Sequence, residues 1–268
     1  MKIPEVMGIL NVTSDSFSDG GEFAAIDAAL ARGRQMWEEG AAIIDVGGES
    51  TRPGAEEISI DAEIARISPV VRDLAAEGIR ISLDTRRAAV MRAGLLAGAS
   101  MINDVSGLSF DPLAAPLVAE HGCEVVLMHS RGTPQTMAGL NQYNDLLGDV
   151  IAELGARVEA ALHAGIASDK IILDPGFGFA KSGAQNVELL ANLARLHALK
   201  LPLLVGVSRK SVVGFLTGEK TPKNCDAGSI AAALYAAQKG ARLLRVHEVA
   251  GHIQALRVWR GLGGFARG

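Results

Sequence analysis

Short runs of aliphatic residues recur along the chain, and each is followed by a longer segment with apolar residues at helical spacing. Eight runs occur, at Val6–Leu10, Ala42–Val46, Arg80–Leu83, Met101–Asn103, Val125–Met128, Ile171–Leu173, Leu203–Val207 and Leu243–Val246. The segments between them predict helices over Ala24–Glu39, Ala62–Glu77, Arg87–Leu96, Leu113–His121, Leu146–Ala164, Val187–Leu196, Ser229–Lys239 and Gly251–Trp259. The pattern therefore predicts eight alternating strand and helix units.

Strands with this continuous apolar character are typical of an α/β protein whose parallel sheet is covered by helices. Eight units is the number that closes into a (β/α)8 TIM barrel, and 268 residues are enough for one. The alternative is an open doubly wound sheet, but the glycine fingerprint expected after its first strand is absent from the sequence. We therefore expect a single TIM-barrel domain over residues 1–268.

Composition narrows the range of partners. The net charge is -4, and the absence of Lys/Arg blocks argues against binding to nucleic acid or to an anionic membrane. The two cysteines, Cys123 and Cys225, are far apart and predict neither a disulfide framework nor a zinc site. The first residues run directly into the first predicted strand, so we expect a cytoplasmic protein with a small-molecule partner.

Polar or ionisable residues stand at the carboxyl ends of all eight predicted strands. In a TIM barrel these ends converge on one mouth, where the chemistry takes place. A single aspartate in such a place is more often a helix cap, but eight polar ends together favour a polar pocket. The carboxylates and amides suit a heteroaromatic ring with amino and oxo groups, and the cations suit anionic substrate atoms. The residues are Asn11, Asp45, Asp84, Asn103 with Asp104, His129, Asp174, Ser208-Arg209-Lys210, and Arg245 with His247.

The segment DPGFGFAKSG, from Asp174 to Gly183, superficially resembles a phosphate-binding loop. Its glycine spacing before Lys181 does not match that motif. We interpret it instead as a loop whose glycines let Phe177 and Phe179 turn toward the mouth.

Seven motifs then point to one family. They occur in the family's order, each at a predicted strand end: MGILNVTSDSFSDGG, DVGGESTRPGA, SLDTRR, MINDVSG, DPGFGFAKSG, VGVSRKS and RVHEVAG. On these motifs the chain resembles the dihydropteroate synthases of folate biosynthesis from about Val6 to Trp259. The resemblance implies an enzyme that joins 4-aminobenzoate to a dihydropterin bearing a methylene diphosphate, with release of pyrophosphate. It also implies a homodimer.

The resemblance also implies roles for individual residues, with Asp84, Lys210 and Asn11 as the catalytic group. Asn11 would hold Mg²⁺ together with the pyrophosphate, whose oxygens Arg245 and His247 would bind. The pterin would be bound by Asp84, Asn103, Asp174, Lys210 and Met128. The aminobenzoate pocket would be shaped by Phe17, Thr51, Arg52, Pro53, Phe179 and Ser211.

Two residues depart from the pattern of the family. Ser14 stands where many members have proline, and Ala180 stands where many have glycine. Neither change removes a functional group.

Three other functions are compatible with parts of the sequence. A pterin-binding methyl-transfer domain would share the pterin carboxylates but would not need the SRKS motif or the aminobenzoate loops. A Schiff-base aldolase would use Lys210 as its nucleophile. A catalytically silent pterin-binding paralogue is the third, and an activity assay distinguishes it from the synthase.

Overall fold

A computed structural model describes residues 3–12, 21–49, 57–133 and 136–264. Its strands are β1 (Glu5–Asn11), β2 (Ile43–Gly47), β3 (Ile81–Asp84), β4 (Met101–Asp104), β5 (Glu124–Met128), β6 (Ile171–Asp174), β7 (Leu204–Val205) and β8 (Leu243–Val246). Its α-helices are α1 (Gly21–Glu38), α2 (Ile60–Ala76), α3 (Ala88–Leu96), α4 (Ala114–His121), α5 (Leu146–His163), α6 (Gly183–Ala191), α7 (Ser211–Thr217), α8 (Asp226–Gln238) and α9 (Val249–Gly261).

The eight strands form one parallel sheet in the order β6-β5-β4-β3-β2-β1-β8-β7. A parallel bridge between Leu173 and Leu203 brings the two outer strands together, so that the sheet nearly closes on itself. The predicted TIM barrel is therefore confirmed. Within the described residues, no helix is both long enough and apolar enough to cross a membrane.

Alternation along the strands divides the apolar residues into two separate groups, because successive side chains point to opposite faces of a strand. The larger group faces outward and packs against the helices, as Ile44, Val46 and Leu83 do. The smaller group fills the lower part of the barrel and is called the plug here. The plug consists of Met7, Ile43, Met101, Val126, Ile172, Leu204 and Leu243.

The helices differ from the prediction mainly around β7. The predicted helix over Val187–Leu196 instead begins at Gly183, ends at Ala191 and is followed by a 3-10 segment over Leu193–Leu199. The helix begins early because Ser182 and Gln185 form a reciprocal capping box. Helix α7 was not predicted, since its seven residues are too few to show helical periodicity.

Candidate active site

The interior of the barrel changes from apolar to polar directly above the plug. Each residue two positions after a plug residue points to the same side of its strand, and these positions form a second layer nearer the mouth. Asp84 joins this layer from β3, where it pairs in register with Gly47 of β2. We call the set the site layer; it consists of Ile9, Asp45, Asp84, Asn103, Met128, Asp174, Gly206 and Arg245.

Arg245 links two carboxylates of the site layer. Its Nε donates to Oδ2 of Asp45 at 2.6 Å, and its Nη2 donates to Oδ2 of Asp84 at 2.6 Å. Asn103 donates from Nδ2 to the same Asp45 oxygen at 3.0 Å. Four predicted strand-end residues from β2, β3, β4 and β8 are thus brought into one hydrogen-bonded network.

Two members of the network, Asp84 and Arg245, have shifted pKa values. Burial raises the pKa of Asp84 to about 7; the positive charge of Arg245 opposes the shift, and the charge of Asp45 adds to it. Burial lowers the pKa of the Arg245 guanidinium. The negative charges of Asp45 and Asp84 outweigh that effect, so the pKa is raised overall. Arg245 therefore remains a cation beside two carboxyl groups.

A second pair lies across the mouth, where Lys210 and Asp174 interact. Burial raises the pKa of Asp174, and Lys210 opposes that shift. Burial lowers the pKa of Lys210 to about 8, opposed by Asp174. The Lys210 ammonium donates to the carbonyl oxygen of Phe177 at 2.7 Å and lies 4.9 Å from the centre of the Phe179 ring. Lys210 is thus held over the β6 loop and near the aromatic ring predicted to bind aminobenzoate.

Three further predicted residues, Asn11, His247 and Ser211, lie at the rim, and a fourth, Met128, lies in the site layer. Asn11 ends β1 and is half-buried. His247 follows β8, and its Nδ1 lies 3.1 Å from the hydroxyl oxygen of Ser208, which also accepts from the His247 backbone N–H at 3.2 Å. Ser211 is exposed at the first position of α7, and Met128 is buried in the site layer at the end of β5. Each stands at the carboxyl end of the barrel, as predicted.

Some strand-end residues point elsewhere. Asp104 follows Asn103 and therefore faces outward, where its oxygens accept from the backbone of Ser106 and Leu108. Arg209 pairs through Nε and Nη2 with Asp226, at 2.7 and 2.8 Å. The interpretation that Phe177 turns toward the mouth is wrong, because it is fully buried in the outer apolar group. Phe179 alone of the two phenylalanines borders the mouth.

A buried network behind the β6 loop was not predicted from the sequence. Lys181 is 8% exposed, and its ammonium lies 2.8 Å from Nδ1 of His129 while donating to the carbonyl oxygens of Gly176 at 3.0 Å and Phe179 at 3.1 Å. The charged ammonium only donates, so in that form of Lys181 His129 accepts at Nδ1 and carries its proton at Nε2, which faces Glu153 at 3.1 Å. The network fixes the backbone that carries Phe179.

Several predicted aminobenzoate residues lie outside the described residues: Phe17, Thr51, Arg52 and Pro53. Ser14 lies outside them as well. Ala180 is described and has a φ of 49°, a left-handed conformation that glycine adopts at lower cost. This conformation gives a physical reason for the glycine that many family members have there.

Two acceptor atoms of the site layer lack a hydrogen-bond donor among the described residues. Oδ1 of Asp45 and Oδ1 of Asp84 are buried and have no hydrogen-bond partner within the described parts of the chain. A buried acceptor without a donor costs about 1–3 kcal/mol, which a ligand N–H can recover. Asp84 keeps some exposure to the mouth whereas Asp45 keeps none, so the Asp84 oxygen is the one that a ligand can approach. Together with the Lys210 and Arg245 cations, this oxygen suits a compact ligand that combines N–H donors with negative charge.

The fold and the site are those of a TIM-barrel enzyme that binds a small polar ligand at the mouth of the barrel. Comparison with known proteins identifies the class of enzyme. Residues 7–247 match the family model described as "Pterin binding enzyme". The dihydropteroate synthase of Synechocystis sp. is 46% identical over 260 residues, covering 95% of this chain and 90% of the relative.

Solved structures agree with the sequence match. The structure of the dihydropteroate synthase of Xanthomonas albilineans with 4-aminobenzoic acid is 48% identical to this chain in sequence and has a TM-score of 0.91. The match covers 97% of this chain and 93% of the Xanthomonas chain. The same enzyme in complex with 7,8-dihydropteroate is 46% identical, with a TM-score of 0.88 and the same coverage of both chains. The chain belongs to the dihydropteroate synthase family of pterin-binding enzymes, which are transferases of folate biosynthesis.

Proposed function

We propose that the chain condenses 6-hydroxymethyl-7,8-dihydropterin pyrophosphate with 4-aminobenzoate, giving 7,8-dihydropteroate and pyrophosphate. The observation that carries the proposal is the site layer, where the unpartnered Oδ1 of Asp84 lies in the same network as the Arg245 cation. Such a layer suits a pterin, which presents ring and amino N–H donors along one edge. The structures of relatives with 4-aminobenzoic acid and with 7,8-dihydropteroate support this choice of substrates.

The pterin would lie on the site layer, above the plug. Asp84, Asn103 and Asp174 would bind its N–H edge, Met128 would contact the ring, and Lys210 would approach from the opposite side. As the bond from the methylene carbon to the diphosphate breaks, positive charge develops on the pterin methylene. Asp84 would stabilise that charge by its negative charge, an electrostatic effect that is strong where water is excluded.

The diphosphate would lie at the rim, against Asn11, Arg245 and His247. Within the described residues, no group of three His, Cys, Asp or Glu side chains could hold a metal. The half-buried Asn11 nevertheless fits Mg²⁺, because this ion often takes only one or two protein oxygens and completes its shell with phosphate oxygens and water. Bound there, Mg²⁺ would neutralise the charge of the leaving pyrophosphate.

The second substrate, 4-aminobenzoate, would enter from the mouth after the pterin. Phe179 and Ser211 would border it, together with Phe17, Thr51, Arg52 and Pro53. Its amine would attack the methylene carbon once the diphosphate has begun to leave, so no protein nucleophile takes part. The reaction would be a dissociative substitution. Positioning and electrostatics would supply most of its rate acceleration.

We also infer that the chain acts as a single domain, in the cytoplasm and as a homodimer. Exposed apolar side chains on α7 and directly after α9 support the dimer, since Phe215 and Leu216 of α7 and Leu262 are at least 60% exposed. The oligomeric state is measured directly by light scattering of the purified protein.

The test is the coupling of radiolabelled 4-aminobenzoate to the pterin diphosphate by the purified protein. Labelled dihydropteroate and pyrophosphate should form in equal amounts, and omission of the pterin substrate or of Mg²⁺ should abolish both. A folded protein that binds pterin and forms no product would contradict the proposal and favour the silent paralogue. Trapping of a carbonyl substrate on Lys210 by borohydride would favour the aldolase instead.

A further inference from the structure

Asp45 has no role among the predicted binding residues, yet it lies at the centre of the site network. It is fully buried in β2, whereas Asp84, Asn103 and Asp174 each keep some exposure. A single oxygen, Oδ2, accepts from Nε of Arg245 at 2.6 Å and from Nδ2 of Asn103 at 3.0 Å. Asp45 thus touches two residues predicted to bind substrate from a position below the surface of the pocket.

The contact with Asn103 determines which way its amide faces. A side-chain amide has a donating NH2 on one side and an accepting oxygen on the other, and the two have nearly the same size. A carboxylate only accepts, so Asp45 holds the Nδ2 side of Asn103 toward β2. The accepting Oδ1 of Asn103 is then the atom left for a ligand.

The contact with Arg245 fixes that side chain in the same way. Nε is directed to Asp45 and Nη2 to Asp84, so the planar guanidinium spans the two carboxylates. With Asp84 alone, the guanidinium could rotate about the remaining contact. Two carboxylates on different strands hold it in one orientation.

We propose that Asp45 is a positioning residue that sets the hydrogen-bonding polarity of the pterin pocket, making Asn103 an acceptor and holding Arg245 against Asp84. The inference rests on the proposed function, because it concerns the pterin edge of that site. Its consequence is specificity: the pocket accepts a heterocycle with a 2-amino donor and rejects the same ring with a 2-oxo acceptor.

The experiment compares two ligands on four proteins. Calorimetry measures the affinities of 6-hydroxymethylpterin and of its 2-oxo analogue, 6-hydroxymethyllumazine, for the wild type, Asp45→Asn, Asn103→Ala and the double variant. Ser82→Ala is the matched control, since Ser82 is fully buried, pairs in register with Asp45 and has an Oγ without a partner among the described residues. Coupling assays add KM for each substrate.

The wild type should prefer the pterin by about 30-fold or more, as sites built around a substrate donor do. Asp45→Asn should reduce that preference by about tenfold, because its new NH2 group lets the Asn103 amide turn over. The change should raise KM for the pterin diphosphate and leave KM for 4-aminobenzoate within about twofold. In the Asn103→Ala background, Asp45→Asn should cause no further loss of preference, and Ser82→Ala should match the wild type.

An unchanged preference in folded Asp45→Asn would overturn the inference. So would an equal loss of preference with and without Asn103, because Asp45 would then not act through that amide. If Asp45→Asn does not fold, Asp45→Ser should give the same loss, since its hydroxyl can also donate. A wild type that neither binds the pterin nor couples it would contradict the proposed function itself, which separates the two failures.

Discussion

The buried ammonium of Lys181 should make the stability of the protein depend on pH. Replacing this one lysine should remove its share of that dependence. Burial lowers the pKa of Lys181 to about 7 from the ordinary value of 10.5; Asp174 and Glu153 oppose that shift, and Lys210 and Arg131 add to it. In the unfolded chain the lysine keeps its proton up to its ordinary pKa. Between these values the unfolded state binds more protons than the folded state, so stability rises with pH.

The magnitude follows from the size of the shift. Each pH unit in this interval contributes at most about 1.4 kcal/mol, so raising the pH from about 7 to about 9 stabilises the wild type by up to about 3 kcal/mol. Lys181→Met has no such proton to lose and lacks this contribution. It also leaves the carbonyl oxygens of Gly176 and Phe179 without their lysine donor, at about 1–3 kcal/mol for each buried acceptor.

The assay is urea unfolding at pH 7 and at pH 9. The difference in unfolding free energy between the wild type and Lys181→Met should grow by at least about 1 kcal/mol over this range. Lys223→Met is the matched control, because Lys223 is exposed, and its stability should change in parallel with that of the wild type. A difference that stays constant with pH, or that shrinks, would show that Lys181 does not lose its proton in this interval in the folded protein.

Two further predictions concern the site and the loop beside it. Asp84→Asn should lower kcat more than it weakens pterin binding, with a barrier increase of several kcal/mol, about that for losing a preorganised charge. Equal losses in kcat and in binding would make Asp84 a binding residue only. The control is Asp169→Asn, which should have no effect because Asp169 is exposed. Gly176→Ala should destabilise the protein by more than about 2 kcal/mol, because φ is 71° and the added carbon would overlap the carbonyl oxygen of His129. Gly155→Ala is the control, because Gly155 lies in the interior of α5 and an added carbon would make only an ordinary contact with Leu199. This variant should be neutral or stabilising in thermal unfolding. Similar losses of stability in both variants would mean that the backbone conformation of Gly176 is not the cause.

Much of the barrel could be predicted from the sequence because strand alternation is a local property. The step from Ile43 to Asp45, or from Met101 to Asn103, is two residues, so a polar residue two places after a plug residue must face the interior. The same rule explains the errors. Asp104 and His129 also stand at strand ends, but each is one residue further on and faces outward.

The remaining features depend on contacts between distant segments. The pairing of Arg245 with Asp45 and Asp84 joins residues from three strands, and no local pattern specifies which donor meets which carboxylate. The burial of Lys181 against His129 likewise depends on how the β6 loop packs against the residue that follows β5. The short helix α7 has too few residues for its periodicity to be detected in the sequence. Ser211 was predicted as a site residue, but the helix that it begins was not.

A crystal structure of the protein with 6-hydroxymethyl-7,8-dihydropterin would show directly whether the site layer binds the pterin. The pterin should lie flat on the site layer, above the plug, with its N–H donors within about 3 Å of oxygens of Asp84, Asn103 and Asp174 and with Lys210 on its other side. A pterin bound outside the barrel mouth would exclude the site layer as the pterin site. So would a pterin whose N–H edge faces away from these three side chains.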